Sequence, residues 1–368
     1  MRRKSTRKVQ VGKITVGGNS PISVQSMTKT DTRNPNQTIK QIHELEQAGC
    51  EIVRVAVPDM DAAKSLKEIK ANIKIPLVAD VHFDYHLAIE SAKYVDKIRI
   101  DPGNITSPEK KKAIIDICKD FGIPIRIGIN SGSLETDLID KYRGVNYKTM
   151  VASALRQQEF FEKNGFYNMI FALKASDVPT TLKAYESFSK KSDYPLHVGI
   201  TQSGSGEEGK IKSSVGIGYL LARGIGDTIR VSLTNNPVEE VKTGYEILQA
   251  LDLRRTKREI ISCPTCGRTE IDLFKITEQV KEITKTIKHP LKIAVMGCVV
   301  NGPGEAKEAD VGIAGGKHSA VIFRKGVVVR TIPESEILNA LLEEIENILD
   351  EKHLDIPVEL KRISKTKC

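Results

Sequence analysis

From residue 22 to about residue 252 the chain alternates short apolar segments with segments of helical period, and this rhythm restricts the fold more than any other feature. The apolar segments are 22–27, 52–57, 76–81, 97–101, 124–130, 168–174, 196–201 and 228–233. Helix-period stretches follow them, for example 37–48, 110–121, 147–164 and 238–251. Eight βα units in succession predict an α/β protein built on a (β/α)8 TIM barrel, with a doubly wound sheet as the main rival. Ahead of the first strand, residues 8–16 read as a short hairpin placed to plug the N-terminal end of that barrel.

The strands carry a second pattern, because side chains alternate in and out along a strand. In a barrel the outward set packs on helices and must be apolar. Val55 and Val57, Ile98 and Ile100, Ile125, Ile127 and Ile129, and Ile229 and Val231 meet that condition. The inward set is then Arg54, Arg99, Asp101, Arg126, Asn130, Arg230 and Ser232. Lys174 falls in the phase of Ala172, Asp80 and His82 point inward on the third strand, and Gln25 does so on the first. Four arginines and one lysine thus enter one mouth, at the strand ends where barrel enzymes keep their active sites. Asp80 and Asp101 neutralise part of this charge as buried partners, but two acids do not balance five cations. The excess asks for a ligand with several negative charges, and a diphosphate suits the planar fork of arginine. Asp80-Val81-His82 is only weakly a divalent-metal pair, so both residues read as substrate contacts or as supports for them. The runs Ser203-Gly204-Ser205-Gly206 and Gly216-Ile217-Gly218 match neither a P-loop nor a dinucleotide fingerprint, and read as loop and helix-packing glycines.

After a charged linker at 253–258 the rhythm changes. A strand at 259–262 leads into Cys263-Pro264-Thr265-Cys266, a helix spans 272–288, and a strand at 291–297 delivers Cys298. Strands at 311–314, 320–323 and 327–331, with a Lys325-Gly326 turn, and a helix at 334–349 complete a small α+β module. A C-x2-C pair and one distant cysteine bring three thiolates to one point. Structural zinc and iron–sulfur clusters both take four ligands, so one corner must be filled by another group. Glu305 is a candidate, because it ends the Gly302-Pro303-Gly304 loop that follows Cys298. The expected division is a barrel over 1–255, a cluster module over 256–350 and a basic tail over 351–368.

Six cysteines in 368 residues do not suggest a disulfide framework, and reduced cytoplasmic thiols fit better. Cys50 and Cys118 lie at apolar helix-face positions and read as core, whereas Cys368 is terminal. No apolar run approaches membrane-span length, and the basic residues 1–8 precede no apolar stretch, so neither a membrane segment nor a secretory signal is expected. The net charge of +9 suits an anionic substrate, an acidic protein partner or nucleic acid. Only 5% of residues are aromatic, none is Trp and no nucleic-acid motif is present, which speaks against the last.

The runs VQSMTKTDT, EIVRVAVP, KIRIDPGN, IRIGINSGSL, LKASD, GIGDTIRVSLT, CPTCGR and MGCVVNGPGEA together resemble the bacterial 4-hydroxy-3-methylbut-2-enyl diphosphate synthase family, from about residue 8 to 350. The resemblance implies a TIM barrel followed by an iron–sulfur domain similar to that of sulfite and nitrite reductases. It implies reduction of 2-C-methyl-D-erythritol 2,4-cyclodiphosphate with loss of water, in the methylerythritol phosphate route to isoprenoids. Carried over, Cys263, Cys266, Cys298 and Glu305 would ligate one [4Fe–4S] cluster. Arg54, Arg99, Arg126, Asn130, Lys174, Arg230 and Ser232 would line the diphosphate pocket beside Asp80 and His82. Glu305, Gln202 and Asn130 would take part in the reaction itself. The resemblance also implies a flavodoxin or ferredoxin as electron donor and a head-to-tail homodimer. One position departs from the pattern: Thr201-Gln202-Ser203-Gly204 stands where the family carries Thr-Glu-Ala-Gly. A glutamine keeps the reach of that glutamate but cannot act as a general acid or base near neutral pH.

Overall fold

The structure, a computed structural model, describes residues 3–287 and 289–357. The chain divides into two compact units, Met1–Arg254 and Arg255–Cys368. Most of the expected basic tail, Cys368, the first two residues of the basic N-terminus and Lys288 at the expected end of a helix lie outside the described residues.

The first unit opens with the hairpin β1 (Val9–Val11) and β2 (Ile14–Val16). Among the described residues, eight parallel strands follow: β3 (Ser23–Met27), β4 (Ile52–Val57), β5 (Leu77–Val81), β6 (Lys97–Ile100), β7 (Ile125–Asn130), β8 (Met169–Lys174), β9 (His197–Val198) and β10 (Thr228–Ile229). Their order runs from β8 through β3 to β10 and β9, and a parallel bridge between Phe171 and Leu196 joins the two ends into a barrel. The helices are α1 (Pro35–Gln47), α2 (Met60–Ala71), α3 (Tyr85–Ala92), α4 (Pro108–Asp120), α5 (Thr136–Lys141), α6 (Tyr147–Lys163), α7 (Val178–Ser189), α8 (Gly206–Ala222) and α9 (Pro237–Ala250).

Local chemistry explains where the helices begin. Asn34, Asp59, Asp84, Ser107, Asn146, Asp177 and Asn236 each accept a first-turn N–H at a helix start, a bond worth about 1 kcal/mol. Outward strand residues, among them Val55, Ile98, Ile127 and Ile229, form the main core with the buried helix faces. At the other end of the barrel Val9, Val11 and Val16 pack on Ile52, Val78 and Ile170, the lowest inward residues of β4, β5 and β8. The hairpin therefore seals the barrel floor, each fully buried valine contributing about 1.5–3 kcal/mol.

Strands seven and eight are shorter than the pattern of 196–201 and 228–233 predicts. Arg230 N–H still donates to Val198 O at 3.0 Å, but beyond it the chain turns through left-handed Gln202, Gly204 and Gly206. Gln202 and Ser232 therefore stand on loops.

The second unit is a five-stranded sheet in sequence order, β11 (Glu259–Ser262), β12 (Lys292–Met296), β13 (Val311–Gly316), β14 (Ser319–Arg324) and β15 (Val327–Pro333). The first three strands are parallel and the last two pair antiparallel. Two helices, α10 (Leu273–Ile283) and α12 (Ile337–Glu351), share one apolar core with the sheet. Between them in sequence lies a single helical turn, α11 (Gly302–Glu305), in the loop that follows Cys298. The helix expected over 272–288 ends at Ile283 in a 3-10 turn, Thr284–Thr286, and that expected from 334 begins as a 3-10 turn before Ile337. Lys325 and Gly326 both have positive φ, as a two-residue hairpin turn requires.

Candidate active site

The inward pattern of the barrel strands is present as expected. Arg99 on β6 donates to Asp80 on β5 at 2.8 Å and lies 3.7 Å from Asp101. Arg54 on β4 is 3.4 Å from Asp80 and directs Nε and Nη2 at Met27 Sδ, 3.1 and 3.0 Å away. Asn130, at the end of β7, donates to Asp101 at 2.5 Å, and Ser133 donates to both oxygens of the same carboxylate at 2.9 Å. Arg126 is 2% exposed, and its Nε and Nη1 have no hydrogen-bond partner among the described residues. His82 extends β5 and meets Arg99 through Nε2.

Two glycines make room for this density of long cations. A Cβ on Gly128 would sit 2.9 Å from Arg99 Nη2, and one on Gly199 would sit 3.0 Å from Lys174 Nζ. Both positions face the barrel interior, where a larger side chain would displace a charged group.

The electrostatics follow from burial. Burial pushes the Arg54 guanidinium down to about 10, aided by Arg230 and Arg99 and opposed by Asp80. Burial, then Arg54 and Arg99, pushes Arg126 well down, and burial with Arg126 and Arg230 does the same to the Lys174 amine. Arginine does not give up its proton in proteins, so for Arg54 and Arg126 the direction measures the cost of burying a charge, with repulsion from the other cations added to it. Burial alone would raise the Asp80 carboxyl, but Arg54, the His82 contact, Arg99 and Arg126 hold it well below the usual range. The mouth is thus short of negative charge.

Three contributors escaped the strand reading. Glu240, on α9 and 1% exposed, lies 3.3 Å from Arg230 and accepts from Ser26 Oγ and Leu233 N–H at 3.0 Å. The count of acids is therefore corrected to three, still fewer than the five cations. Glu240 was legible in principle, because it occupies the buried stripe of α9 with Val241, Gly244, Ile247 and Leu248. Lys97 and His197 lie deeper and are fully buried, and the Lys97 amine and both His197 ring nitrogens have no hydrogen-bond partner among the described residues. Burial, then the neighbouring cations, pushes both well down. Gln25 is buried nearby in the same inward phase, as expected.

Gln202 is exposed, with φ of 52°, and its carbonyl accepts from Lys212 Nζ at 2.9 Å. Ser232 is half-buried on the loop after β10. Two other histidines have ordinary surface contacts: His43 meets Asn72 O and His86 meets Asp84.

In the second unit the cysteines stand on adjacent loops because β11 and β12 are parallel neighbours, with Ser262 paired to Val295. Cys263 follows β11 directly, and its Sγ accepts the Gly297 N–H at 3.2 Å just before Cys298. Cys266 is exposed. The Arg268 backbone N–H, followed by its side chain, lowers the Cys266 thiol, and the Arg268 guanidinium also feels Cys298 and Glu305. Glu305 is exposed at the end of α11 and accepts from Asn301 Nδ2 at 3.2 Å. Among the described residues no group of three or more His, Cys, Asp or Glu side chains is placed to hold a metal ion. The donor set nevertheless fits an iron–sulfur cluster: three thiols and a carboxylate rise from two neighbouring loops, around an arginine that stabilises thiolate. Cys50 and Cys118 are buried in the barrel core, and burial pushes the Cys50 thiol up to about 12 and Cys118 further, as inert thiols.

Comparison with known proteins agrees with both units. Residues 6–245 match the GcpE TIM-barrel domain and residues 259–347 the GcpE protein C-terminal domain. A relative from Caldanaerobacter subterraneus subsp. tengcongensis, a 4-hydroxy-3-methylbut-2-en-1-yl diphosphate synthase (flavodoxin), is 56% identical over 351 residues, covering 95% of this chain and 99% of its own. One of the same name from Thermodesulfovibrio yellowstonii is 56% identical over 346 residues, covering 94% and 99%. Among solved structures, a dihydropteroate synthase from Stenotrophomonas maltophilia superimposes with a TM-score of 0.50 at 11% identity, over 67% of this chain and 98% of that one, a likeness of fold alone.

Proposed function

The chain belongs to the GcpE family, and on that premise we propose that it reduces 2-C-methyl-D-erythritol 2,4-cyclodiphosphate to (E)-4-hydroxy-3-methylbut-2-enyl diphosphate. Two electrons and two protons enter, the cyclic diphosphate opens at a carbon–oxygen bond, a hydroxyl leaves as water and a carbon–carbon double bond forms. The observation that carries this reading is the cationic excess in the barrel mouth, where Arg54, Arg99, Arg126, Lys174 and Arg230 face three carboxylates.

The diphosphate takes the place of the missing counter-charge. Arg126 offers unpartnered N–H groups, and Arg54 exchanges a weak sulfur contact for a phosphate oxygen. Asn130 and Ser133 hold Asp101, which keeps Arg99 aligned. Ser232 and Gln202 lie on the loops that follow strands eight and seven, within the same C-terminal rim. Gln202 supplies hydrogen bonds and no proton, so proton handling falls to another group of the mouth, with His82 the candidate.

The [4Fe–4S] cluster, which Cys263, Cys266, Cys298 and Glu305 would hold, supplies electrons and a Lewis-acidic iron when bound. Arg268 and the Gly297 N–H keep two of those sulfurs as good donors. The names of the relatives support flavodoxin as the electron donor, with ferredoxin the alternative of the same kind. We also propose a head-to-tail homodimer. Its support is the apolar outer face of α8, where Ile211, Val215 and Tyr219 are exposed on one stripe. Among the described residues no helix is long and apolar enough to cross a membrane, which agrees with a cytoplasmic enzyme.

Metal and sulfide analysis of anaerobically purified protein tests the cofactor. The expected result is a brown protein with about four iron and four sulfide per chain. A colourless protein carrying one zinc per chain would contradict it.

A further inference from the structure

Below the charged mouth, one inward step further down the barrel, lies a layer of polar side chains that the proposed reaction does not use. Lys97 sits two residues before Arg99 on β6, about 7 Å deeper. Gln25 lies two residues before Met27 on β3, His197 on β9 two before Gly199, and Thr228 on β10 two before Arg230. All four are buried. Among the described residues the Lys97 amine, both His197 ring nitrogens, the Gln25 carboxamide and the Thr228 hydroxyl have no hydrogen-bond partner. Beneath them the valines of the β1–β2 hairpin close the floor with apolar side chains.

The acids around Lys97 are engaged elsewhere. Asp96, the residue before it, pairs with Lys70 and accepts the Leu77 N–H. On the neighbouring β5, Val78 stands beside Lys97, and Asp80 lies one step higher, between Arg54 and Arg99. The charged groups acting from other strands, Arg126 on β7 and Arg54 on β4, are positive, and an arginine keeps its proton. His197 lies under the same two arginines and Lys174. An ammonium here would be a buried charge without a partner, so Lys97 is an amine in the empty barrel. Burial, then Arg126 and Arg54, favour that form, and Asp96 opposes it.

We propose that Lys97 is a proton-uptake site coupled to substrate binding: an amine while the mouth is empty, it takes a proton from solvent when a diphosphate settles on Arg54, Arg99 and Arg126 above it. This rests on the reading that the cyclodiphosphate occupies that mouth. The phosphate charges lower the positive potential on the layer below and so favour the ammonium. The acceptors open to it in that layer are Gln25 Oε1, Thr228 Oγ1 and the bare ring nitrogen of His197. The arginines hold the ligand, and Lys97 adds a charge that the empty barrel does not keep. Affinity for the cyclodiphosphate therefore falls as pH rises.

Titration calorimetry of the anaerobic holoenzyme with the cyclodiphosphate at pH 8, in buffers of different ionisation enthalpy, counts the protons taken up on binding. Each phosphorus of this ligand carries one strongly acidic oxygen, so the ligand itself binds no proton in this range. The parent should take up protons, and Lys97→Met should lower the count by about one per substrate. Lys97→Gln, a second neutral replacement, should do the same. Between pH 7 and pH 9 the parent's Kd should rise more steeply than either variant's, by up to about tenfold per pH unit. A parent that binds without taking up a proton overturns the inference with no variant needed. An unchanged proton count in a folded variant, or parallel Kd profiles, overturns it too. If the cyclodiphosphate does not bind the parent, the reading of the mouth fails and the role of Lys97 falls with it.

Discussion

Replacing Arg126 with methionine separates binding from stability more cleanly than any other change in the barrel. Arg126 is almost fully buried, two of its guanidinium nitrogens lack partners among the described residues, and Arg54, Arg99 and Arg230 all oppose its charge. Methionine keeps most of the buried stem and fills the irregular space. Loss of the charge relieves repulsion in the empty barrel. At an effective dielectric constant of 20, two unit charges about 7 Å apart repel by about 2 kcal/mol. That relief offsets the lost packing, so the melting temperature should stay within about 3 °C of the parent, the shift expected for about 1 kcal/mol in a unit of this size. With substrate the balance reverses. A charge-assisted hydrogen bond to phosphate contributes about 1.5–3 kcal/mol, and about 1.4 kcal/mol is a factor of ten, so Kd should rise roughly 10- to 100-fold. Titration calorimetry with the cyclodiphosphate and a thermal melt read the two effects separately. An unchanged Kd with a melting temperature lowered by ten degrees or more would refute the reasoning and make Arg126 a structural residue.

Three further outcomes are expected. Cys298→Ser should abolish bound iron while leaving the far-UV circular dichroism of the barrel intact, and full iron content in that variant would remove Cys298 from the ligand set. Lys97→Met should raise the melting temperature at pH 7. The Lys97 amine is pushed well below its usual range by burial and then by Arg126 and Arg54, so the unfolded chain binds the extra proton and the parent gains stability as pH rises towards about 10. The variant should lose that rise, and melts from pH 6 to pH 10 that stay parallel to the parent's would contradict the sign. Gln202→Glu should change turnover with a chemical reductant by less than about threefold, since the proton is assigned to another group; a large gain would show that the parent is impaired at Gln202.

The barrel was legible because outward apolar residues and inward charges obey a period of two on the same strands. Arg54, Asp80, Arg99, Arg126 and Asn130 could be assigned to the mouth before any contact was known. The shortening of strands seven and eight was not legible, since it depends on the left-handed turn through Gln202, Gly204 and Gly206. Lys97 read as a strand residue like any other, and its complete burial comes from a floor built by the distant hairpin of Val9, Val11 and Val16. Asn104 carried no periodic signal, because a loop folded on Asp101 places it beside His82. In the second unit the spacing of Cys263, Cys266 and Cys298 was plain. Their approach follows from the parallel pairing of β11 with β12, a long-range fact.

Turnover tests the central claim most directly. Anaerobically reconstituted protein is incubated with 2-C-methyl-D-erythritol 2,4-cyclodiphosphate and a chemical reductant, and the products are followed by phosphorus NMR. The cyclic diphosphate signals should give way to the pair of doublets of a linear allylic diphosphate, with two electrons consumed per molecule. A protein that carries its full cluster yet leaves the cyclic diphosphate unchanged would contradict the account.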